Sequence, residues 1–489
     1  MENKKDITNN KNYVQKLISH FSEDNQKRVA LLLYDGMKIT EIYYKRFSED
    51  ILRAAGFFAK TGIINKHIAL IGSNCYEWII AFFAITASGN VAVLMNPSLP
   101  REILIQQCKK ADVFMACGEA GLVSELSADI CGKTYGEIRG DKAISVDDIA
   151  SPDWETTTIL MFTSGTTEKS KIVEITYENM NSSICSADEV FDVPETDKIM
   201  TVLPMFHIAG LRGVLAMLYR YKTLCIGRGA MHLFKDMSIF SPSYLQIVPM
   251  IAESIVKIIK HTSEKEDRQK YLGTNLKRIC IGGATVDPKI CRYLMEEGFI
   301  IDSAYAMTET TGVGTWGQWH ENCANTIGRL SGELLCRIED GELLFKGAAI
   351  MKGYYKDPEA TDLVLKDGWL YSGDLGFCDS DGYYYITGRK KKIIVMSNGE
   401  KINLEEIERY FKTCDAILEC IVYYDGKSVC VEIYTEDDKK ARAFIKEYND
   451  KMPASYQAHK VMSYSTPLKK NGSGKIMWKR EDYAEGEMQ

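Results

Sequence analysis

Short apolar runs alternate with stretches of helical periodicity along the first 330 or so residues of this chain. The segment up to about residue 12 is polar, rich in Asn and Lys, and reads as a frayed tail. Helical spacing then covers 14–60, interrupted by a strand at 29–33. Residues 67–72 form a short apolar strand that runs into Gly72-Ser73-Asn74. A buried helix is predicted over 76–88 and a buried strand over 90–95, broken by Asn96-Pro97. An amphipathic helix at 100–110 and a strand at 113–116 follow. The apolar run Ile159-Leu160-Met161-Phe162 and the alternating run Ile172-Val173-Glu174-Ile175-Thr176 read as strands on either side of a polar loop. Beyond them lie a helix at 180–190, a strand at 199–203 ending at Pro204, and a helix at 210–221. Strands at 244–248 and 279–281 come next, the second ending in Gly282-Gly283. Strands alternating with helices indicate an α/β fold with a largely parallel sheet.

After about residue 330 the texture changes. Short alternating segments at 333–338, 342–346 and 383–387 are separated by Gly and Asp turns, which predicts a β-rich subdomain closing the larger unit. The basic stretch Gly388-Arg389-Lys390-Lys391-Lys392 then precedes a different rhythm: strand 393–396, helix 404–413, strands 417–424 and 429–434, helix 439–449. The expectation is an N-terminal domain over 1–388, made of α/β subdomains with a β-rich subdomain. A small α+β C-terminal domain covers 389–489.

Composition narrows the function classes. At 489 residues the chain has room for two or three domains. A formal charge of −7 does not favour nucleic acid as a partner. Fourteen cysteines occur singly, with no C-x-x-C pair, which argues against a zinc site and a secreted disulfide scaffold. The N-terminus lacks the apolar core of a signal peptide. No apolar run reaches the roughly 18–20 residues that span a bilayer, so no membrane span is expected. A reduced, cytoplasmic home is the simplest reading.

The polar loop Thr163-Ser164-Gly165-Thr166-Thr167-Glu168-Lys169-Ser170-Lys171 carries the first candidate chemistry. Gly165 permits close backbone approach to a ligand. Hydroxyls and bare N–H groups donate to phosphate oxygens, and Lys171 can neutralise them. The spacing is not that of the P-loop, which ends in GK[ST]. On these residues alone the stretch is either a phosphate cradle or an ordinary hairpin turn.

Five further segments share the chain with it. They are Leu203-Pro204-Met205-Phe206-His207-Ile208-Ala209-Gly210, Gly282-Gly283-Ala284, Tyr305-Ala306-Met307-Thr308-Glu309, Tyr371-Ser372-Gly373-Asp374-Leu375 with Gly388-Arg389, and Asn471-Gly472-Ser473-Gly474-Lys475. Each is common alone. In this order and spacing, from about residue 28 to 480, the set resembles the adenylate-forming superfamily. That family comprises acyl- and aryl-CoA synthetases, luciferases and the adenylation domains of peptide synthetases.

The resemblance implies two half-reactions. A carboxylate attacks the α-phosphate of ATP and releases pyrophosphate, and a thiol then attacks the acyl-adenylate and releases AMP. Negative charge gathers on the phosphates in the first step, so cations and oriented donors are required. By resemblance, Thr163, Ser164, Gly165, Thr166, Thr167 and Lys171 cradle the pyrophosphate side. Glu309 is the Mg²⁺ ligand and Thr308 a phosphate-binding hydroxyl; taken alone, the pair reads equally as a helix cap with a first-turn Glu. Tyr305 offers an aromatic face to adenine. Gly282, Gly283 and Ala284 let the backbone approach the nucleotide, although Gly-Gly at a strand end most often marks a plain turn. Asp374 accepts from the ribose hydroxyls and Arg389 holds ribose or phosphate, whereas Gly373-Asp374 alone is more often a turn. Lys475 reaches into the site from the C-terminal domain for adenylation. That domain is therefore expected to be mobile, with Lys391 at the hinge.

His207 and Ala306 are expected to line the acyl pocket. The Phe206-His207 element resembles the acyl and aryl branch, because the amino-acid branch carries an Asp after its Phe. The His-Ile-x-Gly element and the approach Glu297-Gly298-Phe299 to Tyr305 are similar to the o-succinylbenzoate–CoA ligase group. Glu168, Ser170 and Ile172 stand where the family usually has Gly, Pro and Gly. Ala306 replaces a Gly, which favours a short or flat acid over a long straight chain. The expected substrates are ATP, a small carboxylic acid and CoA, with Mg²⁺ as cofactor. A separate phosphopantetheine carrier protein is the alternative acceptor. A non-catalytic nucleotide-binding regulator is the reading of another class.

Overall fold

A computed structural model describes residues 12–23, 28–163, 170–186, 198–262, 265–284, 286–319, 326–395, 401–469 and 476. The chain divides into two compact units. The first takes in residues up to Cys336 with Phe345–Leu370 and Gly382–Tyr384. The second takes in Arg337–Leu344, Tyr371–Asp381 and the chain from Tyr385 onward, and so includes two segments upstream of residue 388.

The first unit holds two sheets. In one, the strands run in the order Gly353–Tyr354, Ile172–Thr176, Thr157–Phe162, Val91–Met95, His67–Ile71, Val113–Gly118, Gly132–Thr134. The last five are mutually parallel, and Ile172–Thr176 turns back antiparallel on Thr157–Phe162. Val91–Met95 is buried at every residue, which is why it reads as an unbroken apolar run. The helix Tyr76–Ala87 is apolar nearly all round and is buried accordingly, with Trp78, Phe82 and Phe83 in the core.

The other sheet of this unit runs Thr326–Leu330, Gly314–Gln318, Ile300–Ala306, Arg278–Gly282, Tyr244–Ile247, Lys198–Thr201, Thr223–Ile226, Val29–Tyr34, Ile39–Tyr43. Its six strands from Ile300–Ala306 to Val29–Tyr34 are parallel. The helical reading of 14–60 needs one correction. Helices Tyr13–Glu23 and Tyr44–Thr61 flank a hairpin, not a single strand. Asp35 accepts from the N–H groups of Met37 and Lys38, and Gly36 takes φ +99°, so a tight turn sends Ile39–Tyr43 back along Val29–Tyr34.

In the second unit, Glu419–Tyr424, Val429–Tyr434 and Ala458–Tyr464 form a three-stranded sheet. Helices Leu404–Phe411 and Asp438–Lys451 contribute Ile407, Phe411 and Ile445 to a core shared with Val422, Val431 and Ile433. Asn403 caps the first helix through the Glu405 N–H, and Glu405 and Glu406 lie in its first turn, where acidic groups favour the helix dipole. Among the described residues no helix is long and apolar enough to cross a membrane.

Candidate active site

Parallel strands end on the same edge of a sheet, and that edge is where open α/β sheets bind ligands. Lys198–Thr201, Tyr244–Ile247, Arg278–Gly282 and Ile300–Ala306 all finish there. Gly282 pairs with Ala304, and a Cβ on it would lie 3.1 Å from the Ala304 carbonyl oxygen. Gly283 takes φ +83°, and it and Ala284 are exposed. The Gly-Gly pair thus stands at a strand end beside Tyr305, Gly283 favoured by its positive φ and Gly282 by the close Ala304 carbonyl. Tyr305 is half-buried, its ring 6.1 Å from that of Phe345, while Ala306 is exposed.

The next turn presents Thr308 and Glu309. It is not a helix start, so the capping reading does not apply. Thr310 Oγ1 accepts from the Met307 N–H, and the N–H groups of Thr311 and Gly312 donate to the Thr308 and Met307 carbonyls. Thr311 and Gly312 both have positive φ. The Glu309 carbonyl accepts from the Met351 N–H at 2.8 Å, which ties the turn to the segment leading into Gly353–Tyr354.

Lys171 arrives at the same place from the first sheet. The Thr163 N–H donates to the Lys171 carbonyl at 2.9 Å, and the Lys171 N–H donates to Thr163 Oγ1 at 3.2 Å, so these two residues close the neck of the polar loop. Ser164, Gly165, Thr166 and Thr167 lie outside the described residues. The strand Gly353–Tyr354 pairs with Ile172–Thr176, which places the Tyr354 ring 4.3 Å below Lys171 Nζ. The Tyr354 hydroxyl donates to Glu309 Oε1 at 2.9 Å. Burial, followed by the Glu309 charge and this hydrogen bond, pushes the phenol well above its ordinary range. One carboxylate with an adjacent hydroxyl is a hard-oxygen donor set that suits Mg²⁺ when phosphate oxygens complete the shell. No group of three or more His, Cys, Asp or Glu side chains that could hold a metal ion occurs among the described residues.

His207 sits at the N-cap of the helix Ile208–Tyr219, its ring centroid 4.5 Å from that of Phe206. The segment before it is fixed by Asn74, whose side chain donates to the Leu203 carbonyl and accepts from the Met205 N–H, both at 2.8 Å. Gly210 belongs to the same turn, because a Cβ there would lie 2.3 Å from the Pro204 carbonyl oxygen.

In the second unit Asp374 and Arg389 come together. Asp374 is 1% exposed, and Arg389 Nε lies 2.5 Å from its Oδ1. The Ser372 hydroxyl accepts from the Asp374 N–H at 3.0 Å. Beside this pair, Glu342 accepts from the Gly373 N–H and from Lys390 Nζ, at 2.9 and 2.6 Å. Lys392 lies 3.3 Å from Glu408. Most of the basic run is therefore engaged with carboxylates rather than a bare solvent-facing cluster. Lys475 and the side chain of Lys391 lie outside what is described.

Three contributors were missed from sequence: Tyr354, Asn74 and Glu342. Gly353-Tyr354-Tyr355 carried a signal, since a Gly beside aromatic residues can mark a strand approached closely by another backbone. Asn74 ends the Gly-Ser-Asn turn after a buried parallel strand, a position that faces the ligand edge.

A family model described as AMP-binding enzyme matches residues 19–355. The long-chain-fatty-acid–CoA ligase of Bacillus subtilis (strain 168) is 24% identical, over 93% of this chain and 91% of that protein. The 2-succinylbenzoate–CoA ligase of Bacillus cereus (strain Q1) is 25% identical, over 89% of this chain and 92% of that one. The O-succinylbenzoate coenzyme A synthetase of Bacillus subtilis in complex with AMP superposes with a TM-score of 0.81 at 21% identity, covering 94% of this chain and 96% of that one. The same neighbour has been solved with its acyl-adenylate intermediate and with ATP and magnesium ion.

Proposed function

The chain belongs to the AMP-binding enzyme family, and from that premise we propose that it is an AMP-forming acid–thiol ligase acting on a short or aryl carboxylic acid, ATP and CoA. The observation that carries the reading is the meeting of Lys171 and Glu309, far apart in sequence, on the two sides of Tyr354. A cation and a hard carboxylate are there set at the edge where α/β sheets take ligands.

The acid's carboxylate oxygen attacks the α-phosphorus of ATP. The bond to the β-phosphate oxygen breaks, and pyrophosphate leaves with its electron pair. Lys171 offsets charge on the departing phosphates, and the Thr308 hydroxyl donates to a phosphate oxygen. Glu309 would hold Mg²⁺, which when bound would supply charge neutralisation to the polyphosphate. Tyr305 and the exposed backbone of Gly283 and Ala284 receive the base. Asp374, oriented by Arg389, receives the ribose hydroxyls. Lys475 supplies a further cation for this step, a role resting on its motif and on the domain division at 388/389 with Lys391 as hinge. In the second step the CoA thiol attacks the adenylate carbonyl and AMP leaves. CoA is favoured over a carrier protein because the curated relatives that match nearly end to end are named CoA ligases. His207 and Ala306 are assigned to the acyl pocket, where a methyl in place of hydrogen shortens the space for the acid.

Acid-dependent exchange of labelled pyrophosphate into ATP tests the first step. Exchange that requires both an acid and Lys171 is expected. ATP binding with no exchange for any acid would favour a nucleotide-binding regulator.

A further inference from the structure

Tyr354 is 8% exposed and fixed on all sides. Its backbone is paired with Val173, and its N–H donates to Thr361 Oγ1 at 2.9 Å. Its ring carries the Lys171 ammonium and its hydroxyl holds one oxygen of Glu309. Among the described residues neither Lys171 nor Glu309 forms an ion pair.

An ammonium and a carboxylate bridged by one side chain attract each other, more strongly in a poorly hydrated site than in water. If they joined, the cation meant for phosphate and the carboxylate meant for the metal would cancel. A phenol separates them without neutralising either. Its ring face attracts the cation through the π-quadrupole, and its O–H satisfies one carboxylate oxygen.

We propose that Tyr354 is a positioning residue that keeps Lys171 and Glu309 from pairing with each other, reserving the ammonium for the triphosphate and the carboxylate for magnesium-bound phosphate. The proposal rests on the reading of Lys171 and Glu309 as nucleotide ligands. Removing only the hydroxyl frees Glu309 to turn toward Lys171. Removing the ring as well leaves the ammonium without its platform.

The test is calorimetric binding of Mg–ATP to the full chain, with KM for ATP, KM for acid and Tm measured alongside. Tyr354→Phe is expected to weaken Mg–ATP binding and raise KM for ATP by about tenfold, the scale of a hydrogen bond to a charged group. KM for the acid should not move, and Tm should stay within about 2 °C. Tyr354→Leu should lose more. In a Glu309→Gln background, Tyr354→Phe should add almost nothing, because no carboxylate is left to collapse onto the lysine. Unchanged Mg–ATP binding in Tyr354→Phe, or the same loss in both backgrounds, would overturn the proposal. So would a fall in Tm accompanied by parallel rises in both KM values. If Lys171→Ala and Glu309→Gln themselves left Mg–ATP binding intact, the reading of the site would fail instead.

Discussion

Ala306 closes the strand Ile300–Ala306, opposite Gly314. It is exposed, so its methyl is available to a ligand. A single methyl in an apolar pocket discriminates between acids by about 1–3 kcal/mol. Ala306→Gly should therefore raise kcat/KM for an acid slightly longer than the preferred one, measured over a homologous series. An unchanged profile would remove Ala306 from the pocket. Asp374 is the other residue whose role hangs on one side chain. Asp374→Ala would remove the proposed ribose acceptor and the carboxylate that Arg389 pairs with. KM for ATP should rise by about tenfold or more, on the scale of hydrogen bonds to charged groups, while KM for the acid is spared. Unchanged kinetics would exclude it from the nucleotide site. At this scale the sequence singles out candidate residues from local segments. Gly283, Thr308 and Asp374 stand in short segments whose order is distinctive. Tyr354 was missed because its role depends on pairing with a distant strand, and a strand of two residues has no periodicity to read.

Elements position these residues through bonds that sequence spacing does not encode. Asn74 holds the segment before His207 by both a donated and an accepted bond, so Asn74→Ala leaves a backbone N–H and a carbonyl unsatisfied. We expect a loss of about 1–3 kcal/mol in stability, read by denaturant unfolding, together with a lower kcat/KM for the acid. Normal kinetics at normal stability would show that the segment holds itself. Glu137 is a comparable device away from the site. Its carboxylate is held down to about 2 from an ordinary 4.5 by the Thr134 N–H, then by the Lys133 ammonium and the Thr134 hydroxyl. Since the folded value lies below the ordinary one, the stabilisation is present above about 4.5 and is lost as pH falls toward 2. Glu137→Gln should be less stable than the parent at neutral pH, with the difference closing over that window in acid unfolding. A difference that persists at pH 2 would assign the effect to packing. Buried strands such as Val91–Met95 were legible because burial at every residue dictates an unbroken apolar run. The helix Pro249–His261 buries Ala252, Ile255, Val256 and Ile259 at helical spacing, so it was readable but was passed over. The strand Trp369–Cys378 alternates in burial while its polar Ser372 and Asp374 face inward, which hid its period.

At the scale of the whole molecule, the α/β character followed from strands alternating with helices. The division into units did not follow as cleanly, because the second unit gathers segments from both sides of residue 370. Contacts between remote segments set such a division, and a linear reading sees only composition shifts. Under the proposed function Lys475 acts in adenylation alone. Lys475→Ala should suppress acyl-adenylate formation while sparing thioester formation from a supplied adenylate. Equal loss of both steps would contradict that assignment. The most direct measurement of the central claim is acid-dependent pyrophosphate release over a panel of short, branched, aryl and long-chain acids, with and without CoA. We predict release that requires one class of short or aryl acid, faster turnover with CoA, and AMP as the nucleotide product. Pyrophosphate release indifferent to acid, or none with any acid despite ATP binding, would contradict it.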